Sequence, residues 1–525
     1  MQNLIENGSK IFSRNAIICL GIIALAGFLI RLFYFPEGIP ITLDGALYFW
    51  YANDLSVSGT IPDSPLTNNG WPTFLSVFFH FFNSENFLEY MDLQRYITII
   101  ISVTTIIPVF ILCRKFCGNE LSLFGASLFV FQPRIIENSL AGITEPLFIL
   151  LELSCLVLFL QNDFKFKYIS FGVLALACLV RAEAIALILP LSVFFILKNR
   201  GDKTIIVKYL ISISIFLLVL LPMIFMRIEA VGYDGIFSHS VAAVDVYSSG
   251  QKIIDINQTV FTLIKSTGLA VFPFFLVLLP LGIFGFFRNR SFDKYVVLFF
   301  LIFMSLTVIY VSIREISEPR YFLTLFPIFS LFSIYTVNEI MKKINKTKLI
   351  TTVFIIAVLL SSIVYLDYTK IDYEHERDAY QIGLEISKRA SGINDYHPEV
   401  KFIHNKINDV ANLGTFPIVS SDIEKKVKLI RTYDRTLCYE ENALETGCRQ
   451  YDYSSLNEFI DYGKNEGLTH IIADGNENRA QFINDVFENE EKFPYLTKIY
   501  DSSEHGFDYH LKIFEIGYEE FESMK

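Results

Sequence analysis

The sequence predicts an α-helical integral membrane protein of about eleven transmembrane helices, followed by an α/β domain outside the membrane. Three observations carry that prediction. Hydrophobic residues make up 52% of the 525 residues, and mean hydropathy is +0.43. Apolar stretches near the ~20 residues needed to cross a ~30 Å hydrocarbon core recur along residues 1–369. Charge is also unevenly spread: Lys370 to Lys525 holds 18 Lys and Arg against 31 Asp and Glu, whereas residues 1–369 hold 26 against 24. The isoelectric point of about 5.4 therefore belongs to the C-terminal part. No basic stripe is long enough to follow a phosphate backbone, which excludes a nucleic-acid binder. Disordered, collagen-like and disulfide-scaffold classes fail on composition.

The apolar stretches lie at about 15–35, 93–113, 119–136, 144–161, 166–181, 182–198, 204–227, 258–287, 293–313, 320–340 and 348–367. The fifth and sixth are nearly continuous, so a tight turn at Arg181 separates them, unless this region forms very long amphipathic helices. The first runs from about Ala16 to Phe35. That exceeds a signal-peptide core despite Ala24-Leu25-Ala26, so it reads as an uncleaved anchor. A cytoplasmic N-terminus places 16 basic residues in the inner segments, among them Arg114, Lys115, Lys198 and Lys294. Few fall in the outer loops, and the asymmetry sets the orientation. The domains expected are thus 1–368, spanning the membrane, and 369–525, extracytoplasmic.

Five cysteines (Cys19, Cys113, Cys117, Cys155 and Cys178) fall in or beside spans, where a thiol packs as a small apolar group. Cys438 and Cys448 form the one outer pair; a disulfide and two free thiols are both compatible with it. No Cys/His cluster has the spacing of a structural zinc site. Residues 36–92 form a large outer segment with two interfacial helices. One runs from Asp44 to Ser56, with Leu47, Phe49, Trp50, Tyr51 and Leu55 at apolar positions, and the other from Trp71 to Phe82. A second outer segment covers Glu229 to about Asn257, where Asn257-Gln258-Thr259 is a glycosylation sequon. In the C-terminal part, 454–466 and 476–490 read as helices around a strand at 469–473. Leu496–Tyr500 and Tyr509–Ile516 read as a hairpin pair around a Ser-Ser-Glu-His-Gly turn.

An ionisable group deep in a span costs roughly 2.5–3.5 kcal/mol. Arg31, Asp44, Arg134, Glu137, Glu145, Arg181, Glu183, Arg227, Arg314, Glu315, Glu318 and Arg320 all fall at the outer edge of spans. Each alone is explained by snorkelling or a local pair such as Arg181 with Glu183. Together they describe a polar cavity open to the outside. His80 is the only His within residues 1–238, and a nucleophile elbow and a Walker A loop are absent. What remains, carboxylates and arginines beside a bilayer, suits transfer of a group from a lipid phosphate. An Asp takes the proton of an attacking hydroxyl, and arginines hold phosphate by bidentate hydrogen bonds. A glycosidase would need a second carboxyl group as acid.

Residues 10–367 resemble the GT-C glycosyltransferases, in the branch of the protein O-mannosyltransferases and aminoarabinose transferases. The resemblance rests on Arg31, on Asp44-Gly45-Ala46-Leu47-Tyr48-Phe49-Trp50-Tyr51-Ala52-Asn53-Asp54-Leu55, and on Gly59 and Gly70-Trp71-Pro72. It continues through Thr144-Glu145-Pro146-Leu147, Val180-Arg181-Ala182-Glu183-Ala184 and Pro319-Arg320-Tyr321-Phe322. The C-terminal part, with Gly467-Leu468-Thr469-His470, looks like the outer domain of archaeal members. The resemblance implies a GT-C-like fold and an enzyme using a polyprenyl- or dolichyl-phosphate-linked sugar, the acceptor being open. It puts Asp44 at the general-base position, with substrate contacts at Tyr48, Arg134, Glu145, Arg181, Glu183, Arg320 and Tyr321. Two departures stand out. Asp44-Gly45 replaces the Asp-Glu of many relatives, and Trp71 stands where the aminoarabinose enzymes have Lys. Metal use varies in the family; no metal is expected, a divalent ion being left open. An oligosaccharyltransferase is disfavoured by size and by the absence of Trp-Trp-Asp. A transporter or lipid-linked sugar flippase, the other class of function, is disfavoured by the absence of an inverted repeat.

Overall fold

The computed structural model describes residues 13–238, 256–382 and 455–525, apart from 42, 63, 65, 67–68, 85, 315, 342–346, 371–372, 375–376, 379, 466–469 and 474–480. Cys438, Cys448 and Glu315 lie outside the described residues. Helix α1 (Arg14–Phe33) starts where the Ser13 hydroxyl accepts the Ala16 N–H at 3.2 Å. Its 20 residues rise ~30 Å, the thickness of a bilayer core. Ile18, Ile22, Leu25 and Leu29 along it are more than half exposed, and a face of that kind on a helix of this length suits contact with lipid.

The first large loop carries α2 (Leu43–Ser58) and α3 (Gly70–Phe81), close to the two interfacial helices expected there. Of the apolar positions named on α2, Phe49, Trp50 and Tyr51 are buried and Leu47 is exposed. Gly70 lets α3 seat directly on the backbone further along, since a Cβ there would meet the Leu179 carbonyl at 2.5 Å. The chain continues as α4 (Phe87–Thr104), α5 (Ile106–Phe116), α6 (Asn119–Val130), α7 (Pro133–Ser139), α8 (Glu145–Phe159) and α9 (Phe164–Val180). At Arg181 the backbone becomes extended, then passes through a 3₁₀ turn (Ala182–Leu187) into α10 (Ile188–Lys198). The tight turn at Arg181 is therefore present, and the long amphipathic helices are not. Next come α11 (Ile205–Val231), α12 (Ile256–Val271), α13 (Phe275–Phe287) and α14 (Phe292–Ile313). A second 3₁₀ turn (Pro319–Leu325) leads to α15 (Phe326–Met341), and α16 (Thr347–Tyr368) follows.

Among the described residues, six helices are long and apolar enough to cross a membrane; α12 and α13 add a seventh if their pair, bent by 100°, counts as one span. The other four apolar stretches are helices of 12, 15, 17 and 11 residues (α6, α8, α9 and α10). Most of α6 and α8 is buried. Helices walled by protein rather than lipid need not match the bilayer thickness, which explains the shortness of α6 and α8. Polar contacts tie the loops at one end of the bundle together. Asp293 accepts from Lys115 at 3.1 Å and Lys198 at 2.9 Å, and Lys167 donates to Asn199 at 2.9 Å. These residues come from segments assigned to the same side by their basic residues.

Arg31, at the last turn of α1, is completely buried. Its guanidinium donates to the Ser139 hydroxyl at 3.0 Å, the Gly27 carbonyl at 2.8 Å, the Val130 carbonyl at 3.2 Å and the Ser102 hydroxyl at 3.1 Å. Four hydrogen bonds to separate elements make it a clamp between α1, α4, α6 and α7.

By contacts the chain divides into two compact units, one of Met1–Glu37, Leu47–Ser84 and Glu89–Lys370, the other of Gly38–Ala46, Glu85–Leu88 and Ile371–Lys525. The second contains α17 (Leu456–Asn465), β1 (His470–Ala473), α18 (Gln481–Glu488), β2 (Leu496–Asp501), β3 (Lys512–Ile516) and α19 (Tyr518–Ser523). The sheet is antiparallel in the order β1-β3-β2, with Ile471 opposite Phe514 and Leu496 opposite Ile516. Phe459 and Ile460 of α17 and Ile483 and Val486 of α18 close its core. The expected helices, strand and hairpin pair are thus all found. At the end of β2, burial works against the charge of Asp501, but hydrogen bonds from Ser503 and Lys498 and the nearby His510 outweigh it and hold the carboxyl down at about 2. A carboxylate whose folded value lies below its unfolded value of about 3.9 stabilises the fold above that value, and this is lost as pH falls toward 2. Hydrogen-exchange protection of β2 and β3, corrected for intrinsic rates, is expected to decline between about pH 4 and pH 2. Asp501→Asn should flatten that decline; an unaltered profile in the variant would exclude the assignment.

Candidate active site

Two 3₁₀ turns interrupt the bundle, and each brings an arginine to the same place. Arg181 precedes the first turn and Arg320 lies in the second. Between them opens a cleft walled by α8, both turns and α14. Glu145, Arg181, Glu183, Arg320 and Tyr321, all named from the sequence, line it together.

The Arg181 side chain is 11% exposed and bridges two carboxylates. Its Nη1 donates to Glu145 Oε1 at 2.8 Å and its Nε to Glu183 Oε1 at 2.5 Å. The Phe148 and Tyr321 rings stand over the guanidinium, each centroid 5.7 Å away. Glu145 opens α8 beside the buried Thr144, whose hydroxyl donates to Glu145 Oε2 at 3.3 Å. Removing Glu145 from water is thus compensated by an ion pair and a hydrogen bond. Arg320 pairs with Glu318 at 2.5 Å and lies 5.3 Å from the Tyr321 ring centroid. Thr307 and Thr324 add hydroxyls, and Phe303 and Met304 add apolar wall. Carboxylates, hydroxyls and aromatic faces together suit a polyhydroxylated ligand, while the arginines suit an anionic one.

The remaining named residues are distributed otherwise. Tyr48 of α2 is buried within electrostatic reach of Arg181. Asp44 is half-buried in the first turn of α2, in the segment that belongs to the second unit. Arg134 is not brought to the cleft. It pairs with Glu137 at 3.2 Å and lies 5.4 Å from the Tyr365 ring centroid, while Thr369 donates to Glu137 at 3.1 Å. That is a local strut between α7 and the end of α16. Trp71 is fully buried, its indole N–H donating to the Gly142 carbonyl at 3.2 Å. Among the described residues no group of three or more His, Cys, Asp or Glu is arranged to hold a metal ion.

The residue that sequence reasoning missed is Glu152. It lines the cleft two turns beyond Glu145, only 3% exposed. A signal was present: Glu152 is a carboxyl in the middle of an otherwise apolar helix, and an ionisable group at such depth is a functional candidate in its own right.

The fold is similar to that of the Archaeoglobus fulgidus oligosaccharyltransferase. In the apo form the TM-score is 0.55 with 12% identity, over 87% of this chain and 69% of that one. The archaeal oligosaccharyltransferase AglB from the same organism, in complex with an inhibitory peptide and a dolichol-phosphate, matches at 0.53 and 12%, over 88% and 69%. The complex with Zn and sulfate matches at 0.51 and 12% over 79% of this chain, which spans 59% of that chain's length. The likeness establishes a GT-C fold, as expected from the sequence. No curated protein matches the chain by sequence. A family profile matches residues 77–389, more than half of the chain, and the protein accordingly belongs to the predicted membrane protein family DUF2079.

Proposed function

We propose that the protein is a glycosyltransferase that moves a sugar from a polyprenyl- or dolichyl-phosphate carrier to an acceptor on the outer face of the membrane. The observation that carries this reading is the cleft itself, where Arg181 bridges two carboxylates beside hydroxyls and aromatic rings. A GT-C fold shared with a protein in complex with a dolichol-phosphate supports it. In the proposed reaction an acceptor hydroxyl attacks the anomeric carbon, the bond from that carbon to the phosphate oxygen breaks, and Asp44 takes the hydroxyl proton. Phosphate is a good leaving group, so one base suffices. Glu145, Glu183, Tyr48 and Tyr321 would contact the substrate, and the arginines of the cleft, Arg320 foremost, would meet the phosphate. No observation favours the transporter reading. The decisive experiment is whether the purified protein releases polyprenyl phosphate from polyprenyl-phosphate hexoses when candidate acceptor peptides, lipids and glycans are added. No release with any of them would reject the reading.

Arg320 is the arginine proposed for the donor phosphate, since its side chain is the more open of the two in the cleft. Arg320→Ala is expected to raise KM for the lipid donor about tenfold or more, without loss of folded protein. Arg320→Lys should recover only part, because Lys lacks the planar fork. Unchanged KM and kcat would return Arg320 to a pair with Glu318 alone.

The orientation proposed is a cytoplasmic N-terminus with residues 369–525 outside. A cysteine at exposed Glu504, with Cys438 and Cys448 replaced by serine, should react in intact cells with a thiol reagent that cannot cross membranes. Labelling only after lysis would reverse the orientation and with it the side on which the reaction occurs.

A further inference from the structure

Glu152 is not used in the reaction above, and its surroundings are unusual for a carboxyl. Its Oε2 is buried with no hydrogen-bond partner, and the side chain forms no ion pair with any described residue. The charged groups of the cleft are Glu145, Glu183, Arg181 and Arg320, and Cys155 lies one turn further along α8. Arg181 is already shared between Glu145 and Glu183, and Arg320 faces Glu318. Each cation lining the cleft thus already has its carboxylate. A further carboxylate, unpaired and almost wholly buried, would stand against like charges at large cost, whereas the neutral acid avoids that cost.

A neutral carboxylic acid has one O–H to donate and oxygens to accept, the same pairing that a sugar hydroxyl offers in reverse. Phe148 and Phe303 of the same cleft supply apolar faces, and Thr307 adds a second hydroxyl. We propose that Glu152, as the neutral acid, is a specificity-determining residue that binds a hydroxyl group of an uncharged sugar in this cleft. The proposal rests on the reading of the protein as a glycosyltransferase. It assigns the substrate class, an uncharged hexose or pentose rather than an amino sugar or a uronic acid.

The test uses the full-length protein in lipid nanodiscs and has two arms. Dicyclohexylcarbodiimide reacts with protonated carboxyls in apolar surroundings, and mass spectrometry locates the adduct. Glu152 should be modified at neutral pH, and polyprenyl-phosphate mannose should protect it. Absence of the adduct, or an adduct formed equally with the donor present, would overturn the proposal. This arm does not need turnover, so a protein that binds the donor without transferring sugar would reject the glycosyltransferase reading and leave the Glu152 assignment standing. In the second arm, Glu152→Gln retains a donor and an acceptor and should keep KM for the mannose donor within a few-fold. Glu152→Leu should raise KM about tenfold or more, with kcat less affected. If Gln is as damaging as Leu, or if an amino-sugar donor is preferred and Glu152→Gln abolishes that preference, Glu152 acts as an anion and the proposal fails.

Discussion

Asp44→Asn is expected to lower turnover by about 10²–10⁴-fold while donor affinity stays nearly normal. Asn has almost the same shape but no proton affinity near neutral pH, so it cannot serve as the base. The competing explanation is local. Asp44 lies in the first turn of α2, where a negative charge interacts favourably with the helix dipole by about 0.3–1 kcal/mol. Had it capped the helix, Asn would serve about equally well. Neither local role accounts for a loss of several orders of magnitude in kcat with the protein still folded. Turnover close to wild type in Asp44→Asn would end the base assignment and make Glu145 the next residue to substitute.

Arg181→Met should have the largest effect on stability. The substitution removes the partner of two carboxylates, one of them 3% exposed. Leaving a buried charge uncompensated costs about 3–5 kcal/mol. Thermal unfolding in detergent should show it as a clearly lowered Tm. Arg181→Lys keeps the charge but cannot reach both carboxylates with a planar fork, so it should fall between the two. If the cost arises from stranded carboxylates, adding Glu145→Gln to Arg181→Met should recover part of it. A double variant no more stable than Arg181→Met would show that the loss came from packing against Phe148 and Tyr321 instead.

The membrane spans were legible because the transfer of apolar side chains into lipid is local and roughly additive along the chain. The 20-residue α1 and the antiparallel strands near the C-terminus needed no information beyond periodicity and punctuation; at Arg181 the sequence left a tight turn and long amphipathic helices both open, and the fold decided for the turn. Leu47 shows where that logic stops: composition marks an apolar residue but not whether lipid, water or protein covers it.

Charged residues show the same limit more sharply. Arg31, Arg134 and Arg181 are all arginines at the ends of apolar stretches, and from the sequence they are equivalent. Packing separates them into a clamp satisfied by four hydrogen bonds, a strut on Glu137, and a bridge between carboxylates in a cleft. Glu152 was visible as a charge within a span, yet only the fold brings it level with Arg181 and shows that each arginine of the cleft is already matched to a carboxylate. The sequence by itself determined which stretches are apolar, because that depends on each stretch alone. Which polar groups share a cavity depends on pairs of residues distant in the chain, from Glu145 to Arg320, and only the tertiary structure decided it.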